Sequence, residues 1–102
     1  LASIHGANMA TDAPDSPHRI AVRIRCPSYF ACAEIDKWAP PEHIAKLEAG
    51  LDASGAPYRL EWYPKVEHGF VFPQRAVYDR ASSERHYERL FELFGRCFRE
   101  AA

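Results

Sequence analysis

Asp36 and His68 are the two side chains of this sequence best placed to do chemistry together. Each follows a run of strand length, and a carboxylate beside an imidazole fixes the ring's tautomer and stabilises the imidazolium it forms on taking a proton. Such a pair is an oriented general base, and it needs a nucleophile to act on. The remaining reactive groups do not assemble in the same way. His18, His43 and His86 fall on three separate helical stretches without a shared ligand spacing, so no metal site is expected. His5, followed by Gly6 at the end of a short apolar run, is given no role. Glu34 and Asp36 are two apart in a loop and suggest no glycosidase pair, and Glu67 reads as a solvated charge. Cys26, Cys32 and Cys97 are odd in number and lack C-x-x-C spacing, which argues against a disulfide framework or a zinc knuckle. All three read as small buried apolar residues rather than nucleophiles.

The elements that must position Asp36 and His68 are legible from periodicity. Leu1 to His5 is a short apolar strand that stops at Gly6, and Ala7 to Pro17 is loop. Ser16 and Pro17 open a helix expected to run through about Ile24, with Ser16 as its cap. Cys26 to Ala33 has the continuous apolar character of a parallel strand covered on both faces. Glu34 to Trp38 is the loop past it, and Pro41 to Ser54 is a helix with Ile44, Leu47 and Leu51 on one stripe, closed by Gly55. Pro57 to Tyr63 alternates Tyr58, Leu60 and Trp62 against a wetter Arg59, Glu61 and Tyr63, the pattern of a strand near a sheet edge. Pro64 to Tyr78 is read as loop. Asp79 caps the last helix, whose buried stripe is expected to hold Tyr87, Leu90, Phe91, Phe94, Cys97 and Phe98. The order βαβαβα predicts an α/β fold with a three-stranded parallel sheet, flanking helices and right-handed crossovers. In such sheets catalytic groups gather outside the carboxyl ends of the strands, where Asp36 and His68 both fall.

A length of 102 residues allows one domain, and 13 basic against 14 acidic residues give a formal charge of -1. That balance supplies no reason to expect nucleic acid or an anionic membrane as partner. No apolar run approaches a membrane span, no secretion signal is recognisable, and a reducing cytoplasm is the expected compartment.

The segments A-E-I-D-K-W-A-P-P-E (Ala33 to Glu42) and Y-P-K-V-E-H-G-F (Tyr63 to Phe70) resemble the acid and histidine loops of the dienelactone hydrolases, and the resemblance spans nearly the whole chain. It implies that residues 1–102 form the C-terminal half of an α/β-hydrolase fold, with Asp36 as triad acid and His68 as triad base. It implies a nucleophile, Cys or Ser in a G-x-[CS]-x-G elbow, together with an oxyanion hole, ahead of Leu1. The glycines at 6, 50, 55, 69 and 95 include no pair four apart, so the elbow is not in this sequence. Trp38, Phe70 and Phe72 fall in the loops that border the pocket and are candidate substrate contacts. Some family members carry an arginine shortly after the histidine that holds a substrate carboxylate. Here Val71 and Phe72 follow Phe70 and the first arginine is Arg75, which argues against dienelactone itself.

Two functional readings follow. In the first, the chain is part of a carboxylic ester or lactone hydrolase that uses no cofactor or metal, inactive alone, with a small ester or lactone as substrate. In the second it is a noncatalytic half-fold that forms homo-oligomers or binds a partner through the exposed edge of its first strand.

Overall fold

A computed structural model describes residues 1–101. Its centre is strand β2 (Ser28–Ile35), whose first six residues are all buried. A strand with apolar residues on both faces has to be covered on both. Tyr29, Ala31 and Ala33 point into one core with Tyr63, Val66, Phe70, Val71 and Leu93. Phe30 packs on the opposite side with Ala21, Leu47 and Leu51, and Cys32 beside it with Ala39 and Ile44. Strands β1 (Ala2–Ile4) and β3 (Tyr58–Glu67) flank β2 in parallel, in the order β1-β2-β3. The result is an α/β fold with a three-stranded parallel sheet between helical layers.

Helix α1 (Pro17–Ile20) gives way to a 3-10 turn over Ala21–Arg23, so the single helix expected through Ile24 is broken. The Ser16 hydroxyl does not cap it. That oxygen accepts from the Thr11 amide at 2.8 Å and meets His18 Nδ1 at 2.8 Å, tying down the preceding loop instead. Helix α2 (Pro41–Ser54) buries Ile44, Leu47 and Leu51 as expected and ends at Gly55, whose φ of 74° places it in the left-handed region that closes helices.

β3 does not stop at Tyr63. It continues to Glu67 across a register shift, because Pro64 offers no donor and Lys65 turns left-handed at φ 61° while its amide donates to Glu34 Oε1 at 2.9 Å. Val66 is buried again beyond the irregularity. The faces of β3 also differ from expectation. Trp62 is exposed, whereas Tyr63 is fully buried and the Glu61 side chain is nearly so, since their face lies under the last helix.

Helix α3 (Arg80–Ala101) is capped by Asp79, whose Oδ2 accepts from the Ser82 amide at 2.9 Å. The expected stripe is not the buried one: of its six residues only Leu90 and Cys97 are even partly covered. Ser83, His86 and Leu93 are buried and Cys97 is partly so, but Tyr87, Phe91, Phe94 and Phe98 are exposed, Phe91 to 74% and Phe98 to 73%. The apolar face of α3 is wider than the strip that three strands can cover. No helix of the described residues is long and apolar enough to cross a membrane.

A buried polar network holds α3 to the sheet. Tyr29 donates its hydroxyl hydrogen to Glu61 Oε1 at 2.7 Å, leaving Tyr63 to donate to Tyr29 at 2.6 Å. Arg85 and Arg89 of α3 reach the same carboxylate at 2.6 and 2.7 Å, and Arg85 lies 4.6 Å above the Tyr63 ring. Burial alone pushes the Glu61 carboxyl upward, but hydrogen bonds from Arg89, Tyr29 and Arg85 outweigh it and hold the group at about 2, below its ordinary 4.5. A depressed carboxyl contributes stability that is present above about 4.5 and is lost as pH falls towards about 2. Urea unfolding at neutral pH is expected to show Glu61→Gln destabilised by about 1 to 3 kcal/mol. The variant should also lose less stability than the parent between pH 4.5 and pH 2; equal losses would show that Glu61 does not hold the helix.

Candidate active site

His5, Asp36 and His68 are each the first residue beyond a strand: after Ile4, Ile35 and Glu67 respectively. Parallel strands bring such positions to one edge of the sheet, and adjacent strands lie only about 4.8 Å apart. Asp36 Oδ2 and His68 Nδ1 meet at 2.8 Å. A carboxylate can only accept, so the ring donates from Nδ1. Asp36 Oδ1 accepts from the Trp38 amide at 2.9 Å, which engages both carboxylate oxygens and aims one at the ring. The Asp36 side chain is 1% exposed and the His68 side chain 28%, so the carboxylate is sheltered while the imidazole reaches solvent. Among the described residues no hydrogen bond engages His68 Nε2.

The loop behind His68 is fixed by packing and turn geometry. Gly69 has a φ of 91°, a conformation other residues rarely adopt. The Phe70 amide donates to Glu67 at 3.1 Å, the Asp79 amide donates back to Phe70 at 3.0 Å, and the Phe70 ring stacks on Tyr63 at 5.1 Å. Phe70 is fully buried and does not border the open side of the pair, which corrects its reading as a substrate contact. Its apolar ring is worth more in the core than in the rim. Trp38 and Phe72 are exposed near the site, Trp38 under the Lys37 ammonium and Phe72 edge-on to His5.

His5 is the residue that sequence reasoning missed. Its ring packs edge-on to His68 at 4.9 Å, to Phe70 at 5.4 Å and to Phe72 at 5.5 Å. Its amide donates to Ala31 at 2.8 Å, its φ of 39° is left-handed, and its buried Nε2 has no partner among the described residues. Strain and an unpaired buried polar atom beside the pair mark it as part of the same site. Burial, and then the charge of His68, hold its pKa below the ordinary 6.5. The available signal was the repetition of a His-Gly step, His5-Gly6 and His68-Gly69, at the ends of β1 and β3. Arg75 was also underestimated, because its guanidinium folds back over Gly69, where an added Cβ would lie 3.0 Å from its Nε. A positive charge therefore stands beside the residue that follows His68.

The cysteines offer no nucleophile to this pair. Cys32 is buried, and burial followed by the charges of Glu48 and Asp36 pushes its thiol up to about 12. Cys97 is half-buried on the core-facing side of α3. Cys26 is exposed rather than buried, because it precedes β2 at the opposite edge of the sheet, near the Leu1 amine. No group of three or more metal-ligating side chains occurs among the described residues. The space bounded by His5, Met9 and Asp36 holds about 10 Å³. That is the lower limit for one water, so a substrate has to approach from the exposed side of His68.

A family model, the dienelactone hydrolase family, matches residues 1–98. Comparison with curated proteins finds no match. Among solved structures, a protein described as a dienelactone hydrolase from Klebsiella pneumoniae subsp. pneumoniae superposes with a TM-score of 0.82 at 23% identity, over 92% of this chain and 40% of its own. A dienelactone hydrolase-like promiscuous phosphotriesterase from metagenomic libraries superposes with a TM-score of 0.76 at 17% identity, over 93% of this chain and 41% of its own. At these identities the likeness is one of fold. The chain spans about two fifths of the length of either structure.

The unfolded His5 ring takes its proton near 6.5 and the folded ring only at lower pH, so folding is penalised as pH drops below 6.5. His86, also lowered by burial, acts in the same direction. His5→Asn, which tolerates a left-handed φ, should flatten the fall in urea-unfolding stability between pH 7 and pH 5 by a fraction of one proton, roughly. An unchanged slope would remove His5 from the site's electrostatics.

Proposed function

Because the chain belongs to the dienelactone hydrolase family, we propose that it supplies the acid and base of a hydrolase acting on carboxylic esters or lactones. The observation that carries this reading is the 2.8 Å hydrogen bond from His68 Nδ1 to the buried Asp36 carboxylate, with Nε2 left on the solvent side. The nucleophile, a Cys or Ser, belongs to a segment N-terminal to Leu1 in the complete domain, together with the oxyanion-hole donors. His68 Nε2 takes the nucleophile's proton as its oxygen or sulfur bonds to the carbonyl carbon, and Asp36 stabilises the imidazolium. The same proton then passes to the departing alkoxide as the tetrahedral intermediate collapses to an acyl-enzyme. Water attacks the acyl carbon in the second half, giving a proton to Nε2, and the acid leaves as the nucleophile regains that proton. Trp38 and Phe72 flank the acyl group, and Arg75 at the rim favours substrates that carry a negative charge.

A second reading is favoured by one observation: β1 has no strand beyond it among the described residues, and Tyr87, Phe91, Phe94 and Phe98 are exposed on α3. In it the chain is noncatalytic and associates with itself through these surfaces. In the catalytic reading the nucleophile-bearing segment covers them.

The 102-residue chain alone is expected to hydrolyse p-nitrophenyl acetate no faster than buffer, whereas the domain including the upstream segment should turn it over. In that domain His68→Ala and Asp36→Asn should each lower kcat by about 1,000- to 10,000-fold with little change in KM. Retention of activity in His68→Ala would sink the catalytic reading. Sedimentation velocity on the isolated chain tests the second reading: a defined dimer that Phe91→Glu dissociates supports it, and a monomer at all concentrations removes it.

A further inference from the structure

A cavity of about 400 Å³ lies at the opposite edge of the sheet from Asp36 and His68. It opens where β2 and β3 begin and is roofed by the C-terminal half of α3, and its volume falls within the range of small-molecule sites. Tyr29 and Leu93, both buried, give it an apolar floor. Arg59, Arg89, Arg96 and Arg99 line it, against Glu92 on the rim.

Four arginines line the groove against Glu92, which pairs with Arg89 at 3.7 Å, and against Glu61 behind it. Glu61, behind the groove, accepts from Arg59, Arg85 and Arg89 at once, so one negative charge is shared among three positive ones. Because the Glu61 carboxyl is held near 2, its charge is fixed and cannot grow. The groove is therefore positive in a chain whose formal charge is -1. Arginines near a helix C-terminus also answer the helix dipole, and that role accounts for Arg96 and Arg99. It does not account for Arg59, which arrives from the edge strand β3, is 54% exposed along its side chain and contacts Glu61 through Nη2 at 3.3 Å.

We propose that this groove binds a small organic dianion: an apolar body seated on Tyr29 and Leu93, with a phosphate monoester or a pair of carboxylates held by Arg59 from one wall and Arg99 from the other. Guanidinium groups pair with both head groups through two parallel hydrogen bonds, so the chemistry they share is a double negative charge carried on paired acceptor oxygens. The site stands at the edge remote from the proposed base, and it does not depend on the catalytic reading.

The test is a titration of the 15N-labelled 102-residue chain followed by amide chemical shifts, with phenyl phosphate, phthalate, inorganic phosphate and neutral benzamide as probes. Phenyl phosphate or phthalate is expected to saturate shifts around Tyr29, Arg59 and Leu93 with a Kd of about 1 mM or tighter, the tighter of the two naming the head group. Arg59→Ala and Arg99→Ala should each weaken that binding by about tenfold, while Arg80→Ala, remote from the groove on the same helix, leaves it unchanged. Circular dichroism confirms that each variant is folded, and Arg59→Lys serves in place of a variant that is not, losing the paired hydrogen bonds but keeping the charge. No saturation by either aromatic dianion at about 10 mM, or equal affinity in all variants, overturns the site. Inorganic phosphate or benzamide binding as tightly as the aromatic dianions also overturns it, because the head group and the apolar body are both required.

Discussion

Water is excluded from both faces of β2, and most of the molecule follows from that constraint. A strand reading Ser28 to Ala33 with every residue buried cannot stand at a surface, so one helical layer closes over Phe30 and Cys32 and another over Tyr29, Ala31 and Ala33. Covering both faces from a single chain direction forces parallel neighbours, and parallel neighbours end together. The edge at which β1, β2 and β3 end is therefore where three consecutive loops begin, each with a polar side chain as its first residue. The meeting of Asp36 with His68, 32 residues apart in sequence, is a consequence of sheet topology.

Topology brings the loops together, but local irregularities set the aim of the side chains. Pro64 and Lys65 interrupt β3, and the register with β2 advances by four residues on one strand against two on the other, from the Ala33 and Tyr63 pair to the Ile35 and Glu67 pair. Without those two extra residues Val66 would take the position that His68 occupies. Left-handed backbone at His5 and Gly69 then turns both loops sharply at the edge. For Gly69 the conformation costs little, whereas for His5 it is strained and has to be held by the amide bond to Ala31 and by three aromatic contacts.

Those irregularities mark the boundary of what could be read from residues alone. The βαβαβα order, the burial of β2, the stripe of α2 and its Gly55 terminus, and the placing of Asp36 and His68 past strand ends all depend on patterns within about a dozen residues, and these were legible. The continuation of β3 was not, because a proline normally ends a strand and the compensating bond from Lys65 to Glu34 crosses 31 residues. The dry face of β3 was misjudged for a similar reason: Glu61 looks solvent-bound until the arginines of α3 are known to answer it. The stripe expected on α3, with four of its six residues exposed, shows the opposite limit, since periodicity reports which side of a helix is apolar but not how much sheet is present to cover it. His5 was passed over because nothing local distinguishes a strand-end histidine that packs on a second imidazole from one that does not.

The pair at the edge is self-sufficient in one respect and dependent in another. Asp36 is buried with both oxygens engaged by groups of this chain, so the tautomer and orientation of His68 are set before any substrate or further segment arrives. Preorganisation of that kind places the cost of orienting the base in folding rather than in the reaction. Binding is different: the space behind the pair is too small for a ligand, and the nearby Trp38 and Phe72 are themselves exposed, with Arg75 folded over Gly69. An acyl group held by these three alone would keep most of its surface in water, and a general base without a bound carbonyl accelerates little. In the proposed catalytic reading the division is one between a proton acceptor oriented by two loops of this chain and a cradle that the nucleophile-bearing segment completes.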